Sequence, residues 1–196
     1  MAYPPRSIPP LTTGLILVCI VTSWLSGLGS NIGRIAPLFI SSYFDSGLAE
    51  IMAGEIWRLL TPIFIHFGLL HLLFNILWLW DLGGAVEVTE NSWKLATLVS
   101  IIGIASNLAQ YTLEGPLFGG MSGVVYGLLG YIWMQQKYNT RSRISLKKPI
   151  IVWMLAWYVI CWTGLVGPIA NMAHTAGLIV GLAWGLSTSL SRNMRT

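Results

Sequence analysis

Charge is scarce in this sequence. Only 9% of the 196 residues are Asp, Glu, Lys or Arg, against 55% apolar, and the mean hydropathy is +0.69. A water-soluble fold of this length cannot hide that much apolar surface. Cysteine is scarcer still. Cys19 and Cys161 both lie inside apolar runs, which argues against a disulfide framework or a cysteine metal centre and leaves the redox compartment open. No repeat, low-complexity tract or soluble domain is visible, and no small-residue cleavage site follows the first apolar run, which is expected to be an uncleaved span. The net charge of +4 is not spread as a nucleic-acid groove would require, because the basic residues gather in one loop and at the two ends. That is the pattern of a membrane orientation signal.

What the chain has in abundance is apolar length. Six apolar segments stand out: Leu11–Leu28, Leu59–Gly84, Trp93–Leu113, Ser122–Gln136, Pro149–Leu165 and Asn171–Leu190. They predict an all-α, polytopic membrane protein, one domain built as a bundle of six transmembrane helices. Lys137, Arg141, Arg143, Lys147 and Lys148 cluster between the fourth and fifth segments, and Arg192 and Arg195 follow the sixth. An excess of Lys and Arg marks cytoplasmic loops, so both termini are expected inside, with Arg6 and Lys94 on the same side. The longest connection, 29–58, then falls on the outer face. It contains Tyr43-Phe44-Asp45 and Glu55-Ile56-Trp57-Arg58, and is expected to hold short interfacial helices with Trp57 and Arg58 as headgroup-level anchors, a plain solvated loop being the alternative.

Polar groups in hydrocarbon are costly and usually mark function or helix contacts. All three histidines, His66, His71 and His174, fall at the beginnings of apolar segments, joined by Asn75, Gln110, Ser122 and Tyr126. Segments two, four and six run from outside to inside, so His66, His71, Asn75, Ser122 and His174 converge on the outer leaflet. His71 and Asn75 are four residues apart on one helix face, as are Ser122 and Tyr126. His66, five before His71, falls off that face and is expected at the helix mouth in a supporting role. Gly123 and Gly127 share a face of the fourth segment, while Gly177, Gly181 and Gly185 follow His174 on its own face at three, seven and eleven residues. Small-residue stripes let helices approach closely in lipid, so packing these two stripes together brings His174 to Ser122. From Ser122 to Gln136 a helix rises roughly 22 Å, against a hydrocarbon core of about 30 Å. With Lys137 at the cytoplasmic interface, Ser122 lies below the outer surface, approached by a non-helical stretch from Gly115 to Gly120 that must sit against protein or water.

A serine hydroxyl becomes a nucleophile when a base takes its proton, and His174 is the candidate base. A third, orienting carboxylate is missing: Asp81, Glu87 and Glu90 fall on the cytoplasmic side, and Asp45, Glu50, Glu55 and Glu114 in outer loops. Ser122 and His174 are therefore expected to act as a dyad, with Tyr126 packing on or bonding to the imidazole. Oxyanion donors are expected from the backbone amides of Ser122 and Met121 and from the side chains of His71 and Asn75. Taken singly, each residue has a plainer explanation: Ser122 as a helix cap, Asn75 and Gln110 as interhelical hydrogen bonds, the histidines as packed core residues. Their joint placement in one leaflet favours chemistry. Metal is not expected, since His66 and His71 lack the spacing and the glutamate of a His-Glu-x-x-His motif and no cysteine or carboxylate completes a site. Gly120-x-Ser122-Gly123 is not the Gly-x-Ser-x-Gly elbow of soluble hydrolases either, because position 124 is valine and no strand precedes it.

The motifs Gly120-Met121-Ser122-Gly123, His66-x4-His71-x3-Asn75 and Ala173-His174-x-x-Gly177-x3-Gly181 resemble those of the rhomboid intramembrane serine proteases, in their bacterial form, over about Gly54 to Leu190. Trp57-Arg58, the Leu82-Gly83-Gly84-Ala85-Val86-Glu87 run and Gly115-Pro116 belong to the same resemblance. It implies Ser122 as nucleophile, His174 as base, His71 and Asn75 as oxyanion donors and Tyr126 as support for His174. It further implies that Gln110 helps hold water near the site, that Glu87 is structural at the cytoplasmic end of helix two, and that Phe74 against Trp157 lines a lateral substrate gate. The sequence departs from the bacterial pattern in having no soluble N-terminal domain and a slightly shorter connection between helices five and six. The expected activity is hydrolysis of single-pass transmembrane substrates, after a small residue, near the outer face of a bacterial inner membrane. The lipid bilayer is the only other partner expected, with no cofactor, metal or nucleic acid. The alternatives are a rhomboid-like binder that recognises membrane segments without cutting them, and a small transporter, which the clustering of polar residues toward one leaflet disfavours.

Overall fold

The computed structural model describes residues 8–42 and 47–193; Arg6, the Tyr43-Phe44-Asp45 run, Arg195 and the side chain of Arg192 lie outside what is described. Among the described residues six long helices carry the fold: α1 (Pro10–Leu25), α2 (Leu69–Thr89), α3 (Ser92–Glu114), α4 (Ser122–Tyr138), α5 (Lys148–Trp162) and α6 (Asn171–Asn193). No strand occurs among the described residues. By length and apolar composition α2 and α3 can each cross a membrane, and α1 and α5 are apolar but shorter.

Local chemistry explains the helix ends. α1 starts with Pro10, whose fixed φ suits a first helical position. Its free amides at Leu11 and Thr12 donate to the two oxygens of Glu87 at 2.8 and 2.7 Å, and Thr12 Oγ1 and Ser92 Oγ add bonds of 2.7 Å each. The buried carboxylate of Glu87 thus caps one helix and ties together two others. α1 stops at Leu25, before the expected Leu28, because Gly27 and Leu28 turn left-handed at φ 57° and 56°. α5 stops at Trp162 rather than Leu165, with Gly164 at φ 77°.

The second apolar segment differs most from expectation. Helix was expected from Leu59, but it begins only at Leu69. Pro62 has no N–H to give a helix, and Gly68 sits at φ 98°, so the chain before Leu69 runs as two 3-10 turns, Ile56–Leu59 and Thr61–Phe64, followed by extended backbone. Asn107 on α3 pins this stretch by donating to the Leu59 carbonyl at 2.9 Å. Within α2, Leu79–Gly83 forms a π-helical turn that the sequence did not announce.

The outer connection contains a 3-10 turn at Ile32–Leu38 and a one-turn helix at Ala49–Met52. Arg58 is not the headgroup anchor expected of it. It is 4% exposed, and its guanidinium donates to the carbonyls of Ala36 and Phe39 at 3.0 and 2.9 Å and pairs with Glu55 at 2.6 Å. Trp57 is half-exposed, yet its indole N–H is also spent on the loop, on the Pro37 carbonyl at 3.1 Å. Glu50 accepts the Ser42 N–H at 2.8 Å, a bond that holds its carboxyl below the ordinary carboxylate value.

α4 lies at the centre of the bundle, with residues 123–132 all buried. Its closest partner is α6. A β-carbon built at Gly177 or Gly181 would fall on the carbonyl oxygen of Gly123 or Gly127, and one at Gly185 would meet the Tyr131 carbonyl at 2.6 Å. Only glycine permits this approach. α5 is the contrast: Val152, Trp153, Trp157 and Val159 on it are all exposed, and it is the most peripheral of the long helices.

Candidate active site

α4 begins at Ser122 because the chain just before it cannot be helical. Gly115 ends α3 at φ 89° and Gly120 sits at φ 125°, a conformation that side chains rarely adopt. Gly119 and Gly120 also lie too close to their neighbours for any side chain. A β-carbon at Gly119 would meet the Ile65 carbonyl at 2.8 Å, and one at Gly120 would meet His71 Nε2 at 2.7 Å and lie 3.6 Å from Ser122 Oγ. Gly120 N–H is fixed on the Pro62 carbonyl at 3.1 Å. The amides of Met121 and Ser122, at the helix start, have no intrahelical acceptor.

The glycine stripe of α6 brings its first turn against that point. His174 Nε2 lies 2.8 Å from Ser122 Oγ, and the imidazole residue is 5% exposed. When Nε2 accepts from the hydroxyl, the ring hydrogen sits on Nδ1, which is buried with no protein partner among the described residues. No carboxylate among the described residues bonds the ring. Tyr126 packs on it: its ring centroid is 4.7 Å from that of His174, tilted by 43°. Of the two expectations for Tyr126, packing is the one observed, since its hydroxyl donates to the Met154 carbonyl of α5 at 3.2 Å. Tyr158 meets Tyr126 edge-on at 5.6 Å and shares a 2.8 Å hydrogen bond with Thr175.

His71 Nδ1 accepts the Phe67 N–H at 3.3 Å, which places the ring hydrogen on Nε2, the nitrogen that faces Gly120. An N–H is therefore presented next to Ser122. Asn75 spends one amide hydrogen on the His71 carbonyl at 2.8 Å, while its Oδ1 is buried without a partner. His66 is buried in the loop before α2, with Nδ1 3.1 Å from the Phe64 carbonyl and its ring 5.1 Å from that of His71. Its contact is with His71. Gln110 accepts the Ala173 N–H at 3.1 Å and donates to Glu114 at 2.8 Å, so its amide joins α3 to α6 one residue before His174. Phe74 and Trp157 face each other across α2 and α5 at 6.4 Å.

Three contributors escaped the sequence reading. Ser106 has a buried, unpartnered hydroxyl in the crevice where Gly123 and Gly177 meet, and Asn107 beside it anchors the 3-10 stretch. Both are polar residues within an apolar helix, the same signal that singles out Gln110. Met154 acts through its backbone carbonyl, which leaves no mark in a sequence.

The profile described as the Rhomboid domain matches residues 53–191. The chain belongs to the rhomboid family. Proteins named rhomboid protease GlpG from Salmonella paratyphi A (strain ATCC 9150 / SARB42) and Salmonella typhi are each 39% identical to it over 188 residues. One of the same name from Salmonella newport (strain SL254) is 45% identical over the same length. The matched stretch covers 95% of this rhomboid chain and 66% of each relative, so the chain spans just under two thirds of the relatives' length. This kinship and the apolar helices make the rhomboid chain a multi-pass protein of a bacterial inner membrane.

Proposed function

We propose that this chain is an intramembrane serine endopeptidase that cleaves single-pass transmembrane substrates near the outer face of the membrane, through an acyl-enzyme. The observation that carries this reading is the 2.8 Å contact between Ser122 Oγ and His174 Nε2 in a bundle that buries the imidazole. Ser122 attacks the scissile carbonyl as His174 takes its proton, and His174 returns that proton to the leaving amine. Water then repeats the sequence on the acyl-enzyme. The oxyanion is received by the amides of Met121 and Ser122, by His71 Nε2–H and by the second amide hydrogen of Asn75. Each such donor is typically worth about 10²–10³ in rate. With no carboxylate to orient His174, Tyr126 serves as its positioning residue. Gln110 holds the start of α6 and helps keep water near the site. Six spans with both termini in the cytoplasm set Ser122 below the outer surface. The substrate enters between α2 and α5 past Phe74 and Trp157 and is cut after a small residue.

Purified protein in liposomes, given a model single-pass substrate, is expected to release a new N-terminus within or beside the substrate's membrane segment. Ser122→Ala and His174→Ala are expected to abolish that product while inserting and folding normally. Undiminished cleavage by Ser122→Ala overturns the reading. Intact substrate that still co-purifies with the native chain would favour a non-catalytic binder.

A further inference from the structure

A groove of about 460 Å³ runs between α4 and α5, at the end of the bundle away from Ser122. It is lined by one stripe from each helix. α4 supplies Trp133, Gln136 and Lys137, spaced by three and four residues, and α5 supplies Lys148, Ile151, Val152 and Leu155, spaced likewise, with Leu146 closing one side. The two helices run antiparallel, so Lys137 near the end of α4 and Lys148 at the start of α5 stand at the same end, one on each lip. Deeper in, the walls are apolar: Trp133, Ile151, Val152 and Leu155.

Both lysines are exposed, and neither forms an ion pair with a carboxylate among the described residues; Lys137 rests its ammonium 5.0 Å from the Tyr138 ring. Gln136 is occupied in bonds to Leu146, so it closes the groove and leaves the cations as the groups facing a ligand. Two cations above an apolar slot, at the level of the basic loop, match a phosphate above an acyl chain. The volume is in the range of sites that hold small amphiphiles. Basic pockets between membrane helices on the cytoplasmic side take anionic headgroups for this reason.

We infer that this groove is a binding site for one anionic phospholipid, its phosphate between Lys137 and Lys148 and one acyl chain along Trp133, Ile151, Val152 and Leu155. Bound there, the lipid fills the gap between the helix of Ser122 and the peripheral helix of Trp157. The site is independent of the peptidase reading, since it involves no residue near Ser122.

Native mass spectrometry of the full chain in detergent tests this, with phosphatidylglycerol and phosphatidylcholine of matched acyl chains added in equal amounts. The native chain is expected to retain one phosphatidylglycerol in clear preference to phosphatidylcholine. Lys137→Gln/Lys148→Gln is expected to lower that retention roughly tenfold or more, and Val152→Trp, which fills the slot, to remove both lipids. Arg141→Gln/Arg143→Gln, outside the groove, is expected to retain phosphatidylglycerol as the native chain does. Helical circular dichroism and a monodisperse elution profile establish that each variant is folded. Equal retention of the two lipids by the native chain overturns the proposal. So does undiminished retention by folded Lys137→Gln/Lys148→Gln, or an equal loss in Arg141→Gln/Arg143→Gln.

Discussion

At the scale of single residues, the notable feature is how the imidazole of His174 is held without an acid. Its Nδ1 meets no carboxylate among the described residues, and the ring packs at a tilt against Tyr126 while its Nε2 meets Ser122 Oγ. The phenol hydroxyl of Tyr126 points away, to the Met154 carbonyl. On the proposed reading, the ring of Tyr126, not its oxygen, is what positions the base. Tyr126→Phe is expected to keep kcat close to that of the native protein, whereas Tyr126→Ala lowers it by up to roughly a hundredfold, the cost of an ångström-scale misplacement. Steady-state cleavage of a transmembrane substrate by the three proteins decides this. A large loss in Tyr126→Phe would instead assign the role to the hydroxyl. His71 repeats the lesson, because one backbone bond, from Phe67 N–H to Nδ1, selects the tautomer that presents Nε2–H toward Ser122.

At the scale of elements, the α4–α6 contact sets the approach of His174 to Ser122. Its glycines bring two helix backbones so near that the missing side chains are themselves the interface, and Gln135 extends the contact by donating to the Gly185 carbonyl and to Thr188 at 3.0 and 2.7 Å. Forcing these backbones apart moves His174 from Ser122 as well as costing stability. Gly181→Leu, whose β-carbon would lie on the Gly127 carbonyl, is expected to destabilise the bundle by roughly 3 kcal/mol and to lose activity even where the chain remains folded. Thermal unfolding in detergent, read beside cleavage, checks both effects. The same substitution at Gly14, where a β-carbon meets nothing within 4 Å, serves as a control.

At the scale of the molecule, the all-helical fold and the gathering of polar residues were legible because long apolar runs stand out against scarce charge, and polar groups stand out within those runs. The juxtaposition of Ser122 and His174 was legible through the phase of the α6 glycines relative to the histidine. What could not be read depends on backbone acceptors. Arg58 looked like a surface anchor because its partners, the carbonyls of Ala36 and Phe39, are anonymous in a sequence and lie about twenty positions earlier. The late start of α2 was hidden by a largely apolar run, although Pro62 and Gly68 mark it in retrospect. The proposed orientation rests on the basic loop, and it can be measured in a chain whose Cys19 and Cys161 are both buried. A cysteine placed at exposed Ser145 is expected to react with an impermeant maleimide only after the cytoplasmic side is opened, and one at exposed Gly33 in intact cells. The reverse pattern would invert the topology and place Ser122 near the cytoplasm.

The central claim is that His174 activates Ser122 directly. Labelling with a serine-directed fluorophosphonate, followed by peptide mapping, tests it with least dependence on the choice of substrate. The account predicts a single adduct on Ser122 in the native chain and its loss in His174→Ala with the fold intact. An adduct at Ser122 that forms equally well without His174, or none on the native chain, would contradict it.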